Sequence, residues 1–557
     1  MTRIVLIDNH DSFTHLLADL VDTAIGVYPT IIDRDAELPD ADCYIISPGP
    51  GHPADDLPAA RAALHSGRPV VGVCLGHQMI AHEAGAVVDV AANPMHGLTS
   101  TITYQGQHYE VTRYHSLDVT EPAGSTFEQL GLNILARAED STVMALAHAT
   151  KPHYGVQFHP ESHGTQGGAT ILGDMLWKAL NPFQWAQHYP YFAWLEFEGR
   201  TTIAAGRTPT TLPLGDASPT AAPIVGALTY EANGLRDGST DLDADQQVFF
   251  HAEQFIVLPN LLDDSHLPTA CPKISAPQIA HSREQYTQLV ARAQEAITHG
   301  QSYELCLTTK ATATIDTDGT PIGPAEDLAL YQALRSRVAA PMAGLLISPT
   351  VSIISASPER FIDAHDGTIR AQPIKGTRPR GATEEEDAAL AAELANSAKD
   401  HAENLMIVDV LRNDLHRSCQ RHSIVVEHCA ALHSYPRVHQ LVSTITGQLH
   451  TDPATALMRA FPGGSMTGAP KQRSMEILAE LEGAPRGFYS GIMGYLHGEH
   501  MDFSMLIRTA VRTGNLLEYG AGGAITRLSK PDEEYDEVRV KLLPFELLCG
   551  HPIRGTS

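Results

Sequence analysis

The 557-residue chain reads as two fold classes in series. The first is an α/β part with a mainly parallel sheet flanked by helices; the second is an α+β part of antiparallel sheets with outer helices. Three observations point there. Up to residue 180, short apolar runs alternate with helix-like stretches, as a parallel sheet crossed by helices requires. Beyond Asn181-Pro182 the pattern changes to short alternating segments punctuated by Pro and Gly, which suits antiparallel strands. After a Pro-containing stretch at about 264–278, long helical patterns interleave with strands. These shifts divide the chain at 1–182, 183–275 and 276–550.

Taken in order, residues 3–8, 43–47 and 69–74 read as buried strands, each followed by a turn and a helix-like stretch. The strand 154–158 and a helix near 169–180 close the first part. Segments 192–197 and 201–205 begin the antiparallel part. Helical periodicity returns over 282–299, 384–396, 400–413 and 470–481. The sequence carries no internal repeats.

Composition limits the function. A hydrophobic content of 43% supports large buried cores. With 38 basic against 65 acidic residues, the net charge of -27 repels nucleic acid and anionic membrane surfaces. A small anionic substrate is still allowed, provided that its pocket is locally basic. Seven scattered cysteines are too few and odd in number for a disulfide framework. The N-terminus has only a short apolar stretch before Asp8, so neither a signal peptide nor a membrane span is expected. A reducing, cytoplasmic setting follows as the expectation.

The segment Gly72-Val73-Cys74-Leu75-Gly76-His77-Gln78 stands where an apolar strand meets a helix. Flanking glycines permit a sharp turn that exposes the thiol, and a helix N-terminus favours the thiolate. A nucleophilic cysteine needs a base and an orienter. Gly155-Val156-Gln157-Phe158-His159-Pro160-Glu161 supplies His159 and Glu161 two residues apart at a strand end. Ser47-Pro48-Gly49-Pro50-Gly51 adds a turn suited to backbone oxyanion donors. Together with Asp8-Asn9-His10-Asp11-Ser12-Phe13 and Arg113-Tyr114-His115-Ser116-Leu117, these pieces resemble the class I glutamine amidotransferases. The resemblance implies that Gln78, His115 and Ser116 hold L-glutamine, while Gly49, Gly51 and the Leu75 amide stabilise the oxyanion. All three triad positions are kept, which argues against a relative that only binds.

Ammonia needs an electrophile, and five ordered motifs follow: Ser357-Pro358-Glu359-Arg360-Phe361, Pro373-Ile374-Lys375-Gly376-Thr377-Arg378, Ala402-Glu403-Asn404 through Asp409, Phe461-Pro462-Gly463-Gly464-Ser465-Met466-Thr467-Gly468-Ala469-Pro470-Lys471, and Gly520-Ala521-Gly522-Gly523. They resemble the chorismate-utilising enzymes, which include the anthranilate, aminodeoxychorismate, isochorismate and salicylate synthases. Glu534 and Glu537 are spaced to share one helix face, and oxygen ligands of this kind suit Mg²⁺. The resemblance implies Glu403 and Glu537 as ligands, with Glu534 acting through water. It also implies that Gly376, Thr377, Thr467, Tyr489, Arg508, Gly520, Ala521, Gly522 and Lys541 receive chorismate, and that Glu359 is the general acid.

Lys375 decides among the relatives. Anthranilate, isochorismate and salicylate synthases carry Ala in the corresponding loop, whereas aminodeoxychorismate synthases carry Lys. A desolvated amine there can attack the ring at C2 and displace the 4-hydroxyl, after which ammonia attacks C4. Glutaminase first and synthase second also resembles the fused aminodeoxychorismate synthases. The alternatives are an anthranilate synthase and, of another class, a chorismate-binding scaffold without turnover. The last motif lies close to residue 557, so a separate lyase is expected downstream. A monomer or homodimer is expected.

Overall fold

The computed structural model describes residues 2–213, 222–232, 245–259, 270–317, 319–338, 340–435 and 438–554. Residues 264–269 of the expected linker lie outside the described residues. The chain forms two compact units. The first comprises Met1–Gln184, Arg200–Ile203 and the described part of Gln254–Ser265; the second comprises Trp185–Gly199, Ala204–Glu253 and the remainder.

In the first unit, strands β1 (Ile4–Asp8), β2 (Thr30–Asp33), β3 (Cys43–Ile46), β4 (Val70–Val73), β7 (Leu132–Arg137), β8 (Val143–His148) and β9 (His153–Val156) form one sheet in the order β2-β1-β3-β4-β9-β8-β7. Strands β2 to β9 in that order pair in parallel, while β8 and β7 are antiparallel. The short links β7 to β8 and β8 to β9 leave no room for a helical crossover, so those strands must reverse. Runs such as Ile4-Val5-Leu6-Ile7 are buried on both faces, as a parallel sheet between helices demands. Val5, Ile7, Ile46 and Val70 pack with Leu75, Met79 and Ile80 of helix α3 (Leu75–Glu83). A long hairpin, β5 (Val87–Tyr104) with β6 (Gln107–Thr120), stands apart from this sheet and was not expected from the sequence.

The second unit is built on two antiparallel sheets. One runs in the order Tyr191–Phe197, Met342–Ile347, Ser352–Ser357, Thr509–Thr513, Leu516–Ile525, Glu304–Thr314 and Gln278–Ile279. The other runs Pro209–Thr210, Gln247–His251, Ile224–Leu228, Ile492–His497, His500–Met505, Arg360–His365, Thr368–Ala371, Val438–Gln448 and Ile374–Pro379. Helices Ala398–Leu415 and Pro453–Ala460 cover the second sheet, with Ile407, Leu411 and Leu457 packed in one core with Phe361, Ile445 and Phe503. Helix Arg283–Thr298 starts on a capping box, in which Ser282 and Gln285 satisfy each other's amides. No helix among the described residues is long and apolar enough to cross a membrane.

Candidate active sites

Two strand ends meet at the nucleophile of the first unit. Parallel neighbours β4 and β9 both finish there, β4 running into Cys74 and β9 into Gln157 and His159. Cys74 takes φ +53°, a left-handed conformation forced by the strand-to-helix turn. The turn closes because its glycines have no side chains: a Cβ at Gly72 would fall 2.3 Å from the Gly76 carbonyl carbon, and one at Gly76 would fall 2.4 Å from the Ile46 oxygen. His159 Nδ1 bonds Glu161 Oε1 at 2.6 Å, and both side chains are almost fully buried. His159 Nε2 carries no other regular hydrogen bond. Burial favours the neutral imidazole, but Cys74 and Glu161 outweigh it and raise His159 to about 10. An imidazolium beside the sulfur is the counter-ion a thiolate needs. The rings of Phe13 and Tyr114 stand edge-on against His159 with centroids 5.7 and 5.1 Å away, fixing its plane.

The remaining glutaminase positions fall close by, with two changes. Gly49 packs on Asn9 so tightly that a Cβ would meet the Asn9 side chain at 2.6 Å, and Gly51 takes φ +115°. The Leu75 amide is the first of α3, where an N–H has no acceptor within the helix. Gln78 donates to Leu117 O and Gln157 Oε1, both at 3.1 Å, and Gln157 Nε2 donates to the Cys74 sulfur at 3.6 Å. Gln78 therefore acts on the nucleophile through Gln157, which sequence reasoning quoted but gave no role. The imidazole of His115 is fully committed: Nε2 accepts from Arg113 Nε at 3.0 Å and Nδ1 donates to Leu117 O at 2.9 Å. Burial, then Arg113, pushes it down to about 4, so it stays neutral. His115 can serve glutamine only through its backbone, while Ser116 is exposed beside His96. Arg113 itself is buried and ties this segment to Ser100, Asp140 and Thr142.

In the second unit Lys375 stands at a β-bulge. The register of Ile374–Pro379 on Val438–Gln448 shifts between Lys375 and Thr377, across Gly376 at φ +80°. Lys375 Nζ reaches Glu304 Oε1 at 3.0 Å, on strand Glu304–Thr314 of the other sheet. Burial alone would favour the neutral amine, but Glu304 and Glu403 outweigh it and raise Lys375, which rests as an ammonium. The amine expected to attack therefore carries a proton shared with Glu304, a buried carboxylate partner absent from every motif. Lys375 also stabilises the ionised forms of Glu359, Glu403 and Glu537, and so lies near all three. Glu359 is buried, accepts from Ser465 Oγ at 2.9 Å, and is raised by burial to about 7. Its neighbour Arg360 grips Asp502 with two bonds of 2.9 Å, pinning the strand on which Glu359 is placed.

The predicted substrate ligands divide. Tyr489 lies flat against Gly520, where a Cβ would come within 2.1 Å of its ring, and Ala521 is buried in register with Thr309. Lys541 Nζ donates to Gly522 O and pairs with Glu537 Oε1, both at 2.7 Å. Arg508 does not end a strand; it occupies a left-handed turn before Thr509–Thr513 and has no ion-pair partner among the described residues. The Thr467 hydroxyl is spent on Gly463 O and Gly464 O at 3.3 and 3.2 Å, leaving no donor for a carboxylate. Thr377 accepts from Gln440 at 3.4 Å, and Gln440 Oε1 is buried without a partner.

Three carboxylates were expected to hold a metal. Glu403 Oε1 is buried without a hydrogen bond, and burial raises that carboxyl to about 7. Glu534 is raised by burial; burial also acts on Glu537, but Lys541, Lys399 and Lys375 together outweigh it and lower that carboxyl. Both approach Gly523, at 3.2 and 3.6 Å from the position of its missing Cβ. Glu403 and Glu534, raised by burial, and the ion-paired Glu537 offer hard oxygens of the kind that suit Mg²⁺. The three do not converge to a common point within 4.8 Å of one another, as ligands completed by water and substrate need not.

The cysteine triad on one unit and the acid- and lysine-lined cluster on the other define an amidotransferase whose second chemistry accepts nitrogen. Residues 5–179 match the class-I glutamine amidotransferases, and residues 176–546 match the chorismate binding enzymes. The aminodeoxychorismate synthase of Streptomyces griseus is 35% identical, with 99% of this chain and 96% of the relative covered. That of Streptomyces pristinaespiralis is 32% identical, covering 97% and 96%. The solved menaquinone-specific isochorismate synthase of Escherichia coli shares the fold, with a TM-score of 0.54 at 17% identity over 66% of this chain and 91% of that one. The chain belongs to the chorismate binding enzyme family and carries a class-I glutamine amidotransferase domain in the same polypeptide.

Proposed function

We propose that this chain is a glutamine-dependent 4-amino-4-deoxychorismate synthase. Cys74 attacks the glutamine amide, His159 carries the proton to the leaving ammonia, and Glu161 holds the imidazole in place. In the second unit, Glu304 takes the proton of Lys375 and the freed amine attacks chorismate at C2. Both conjugated ring double bonds shift and the 4-hydroxyl leaves as water, protonated by Glu359. Ammonia then bonds to C4 and gives a proton to the Glu359 carboxylate, the double bonds shift back, and Lys375 leaves from C2 and regains its proton from Glu304. Glu403, Glu534 and Glu537 would hold Mg²⁺, which supplies positive charge for a substrate carboxylate. Arg508 and Lys541 are the cations suited to orient the substrate.

The observation that carries this reading is Lys375, buried between Glu304 and an acid poised near 7, at the position that separates aminodeoxychorismate synthases from their relatives. The enolpyruvyl group is retained, so a separate lyase must remove it to give 4-aminobenzoate. Chromatography and mass spectrometry of a reaction with chorismate, glutamine and Mg²⁺ test the assignment. Aminodeoxychorismate without pyruvate is expected. Prompt pyruvate with fluorescent anthranilate, in the absence of any lyase, would overturn it.

A further inference from the structure

At one end of the second sheet of the second unit, two hairpin turns lie side by side. Strand Arg360–His365 runs into the turn His365-Asp366-Gly367, and strands Ile492–His497 and His500–Met505 are joined by Gly498-Glu499. Ala364 pairs with Met501, and His497 pairs with His500. Directly opposed residues share a sheet face, so His365, His500 and His497 form one row across three adjacent strands. The His365 and His500 rings lie 4.2 Å apart between centroids. Asp366 bridges them, with Oδ2 at 2.9 Å from His365 Nδ1 and Oδ1 at 4.0 Å from His500 Nε2.

One ligand atom from each of the three side chains lies within 4.8 Å of the other two. His500 Nδ1 is buried and has no hydrogen-bond partner. Neither the glutaminase nor the chorismate chemistry uses any of these groups. Two imidazoles and one carboxylate are a nitrogen-rich donor set, which suits zinc-type cations and does not suit Mg²⁺. A tetrahedral zinc centre with bonds of about 2.0–2.2 Å puts its ligand atoms roughly 3.3 Å apart. The separations of 2.9 and 4.0 Å bracket that value, and His365 and Asp366 are mostly exposed and free to adjust.

We propose that these hairpins bind one late first-row divalent cation of the zinc type through His365, Asp366 and His500, clamping the two turns together. Because the donor set is nitrogen-rich, excess Mg²⁺ does not displace it. The test uses the full-length protein, stripped by chelator and dialysed against Zn²⁺ in excess Mg²⁺. The His365→Ala/His500→Ala double variant should bind one equivalent fewer than the parent. Asp366→Asn should weaken that equivalent by about tenfold or more. Equal stoichiometry and affinity in parent and variants would overturn the proposal. Circular dichroism and thermal unfolding of the full chain serve as the check that a variant is folded. Should the double variant not fold, the parent settles the matter through histidine modification by diethyl pyrocarbonate. Zn²⁺ should shield His365 and His500, and unchanged labelling of both would reject the site.

Discussion

At the scale of single residues, reactivity here depends on where protons rest. Lys375 rests as an ammonium because Glu304 and Glu403 outweigh its burial, so the proposed attack on chorismate requires proton transfer to Glu304. Lys375→Ala should reduce ammonium-dependent amination to background, measured as aminodeoxychorismate formed; undiminished turnover would remove the adduct from the mechanism. Glu359 has the opposite task and must be protonated. Burial raises it from an ordinary 4.5 to about 7, so the native state prefers the neutral acid. Its contribution to stability is therefore fully present below pH 4.5 and lost as pH rises through about 7. The shift corresponds to roughly 3 kcal/mol at most. Thermal unfolding of Glu359→Gln should accordingly show a gain over the parent at pH 8 relative to pH 5. The same variant should lose about 10²–10⁴-fold in amination, and the parent's amination rate should fall as pH rises past about 7.

At the scale of elements, two backbone devices place the reactive groups, and they differ in how visible they are in sequence. The elbow at Cys74 is local: a strand, a nucleophile between glycines and a helix are consecutive, so the reading from sequence finds it. His159 and Glu161 are two residues apart and are found for the same reason. The bulge at Gly376 is also written locally, and its glycine serves twice. Its φ is +80°, and a Cβ there would come within 2.9 Å of Asp400 on helix Ala398–Leu415 and of Leu394 on the preceding helix Glu384–Ala395. Gly376→Ala should therefore cost about 1–3 kcal/mol and abolish amination by turning Lys375 out of register. Glutamate release should be spared; denaturant unfolding and separate assays of the two activities check this. What the sequence does not display are partners brought together across long separations from different sheets and turns. Glu304 lies 71 residues from Lys375, and Ser465 lies 106 from Glu359. Gln157 was overlooked because its contact with Cys74 depends on the pairing of β9 with β4. The hairpin β5–β6 escaped because its alternation is interrupted: the register shifts between Val90 and Met95 and again between His96 and Leu98, and the buried period resumes only near Ser100, Ile102 and Tyr104. Thr467 and His115 were placed correctly in motifs, but their hydrogen-bonding capacity is already used inside the protein.

At the scale of the whole molecule, the two chemistries draw on disjoint sets of residues. Cys74, His159, Glu161 and their supports all belong to the first unit, while Lys375, Glu304, Glu359 and the carboxylates Glu403, Glu534 and Glu537 belong to the second. None of the hydrogen bonds that hold the triad passes through a residue of the acceptor cluster. Each half-reaction should therefore fail alone. Cys74→Ala should release no glutamate from glutamine yet retain ammonium-dependent amination near the parent rate. Chelation with EDTA should do the reverse: amination stops, because Glu403 and Glu534 are left as uncompensated acids facing a dianionic substrate, while glutamate release continues. The acidic surface sharpens the contrast, since a net charge of -27 gives chorismate no long-range attraction and leaves its capture to local cations. Re-addition of Mg²⁺ should restore amination. If EDTA silenced both assays equally, or if Cys74→Ala lost amination from ammonium as well, the division of labour between the units would be wrong.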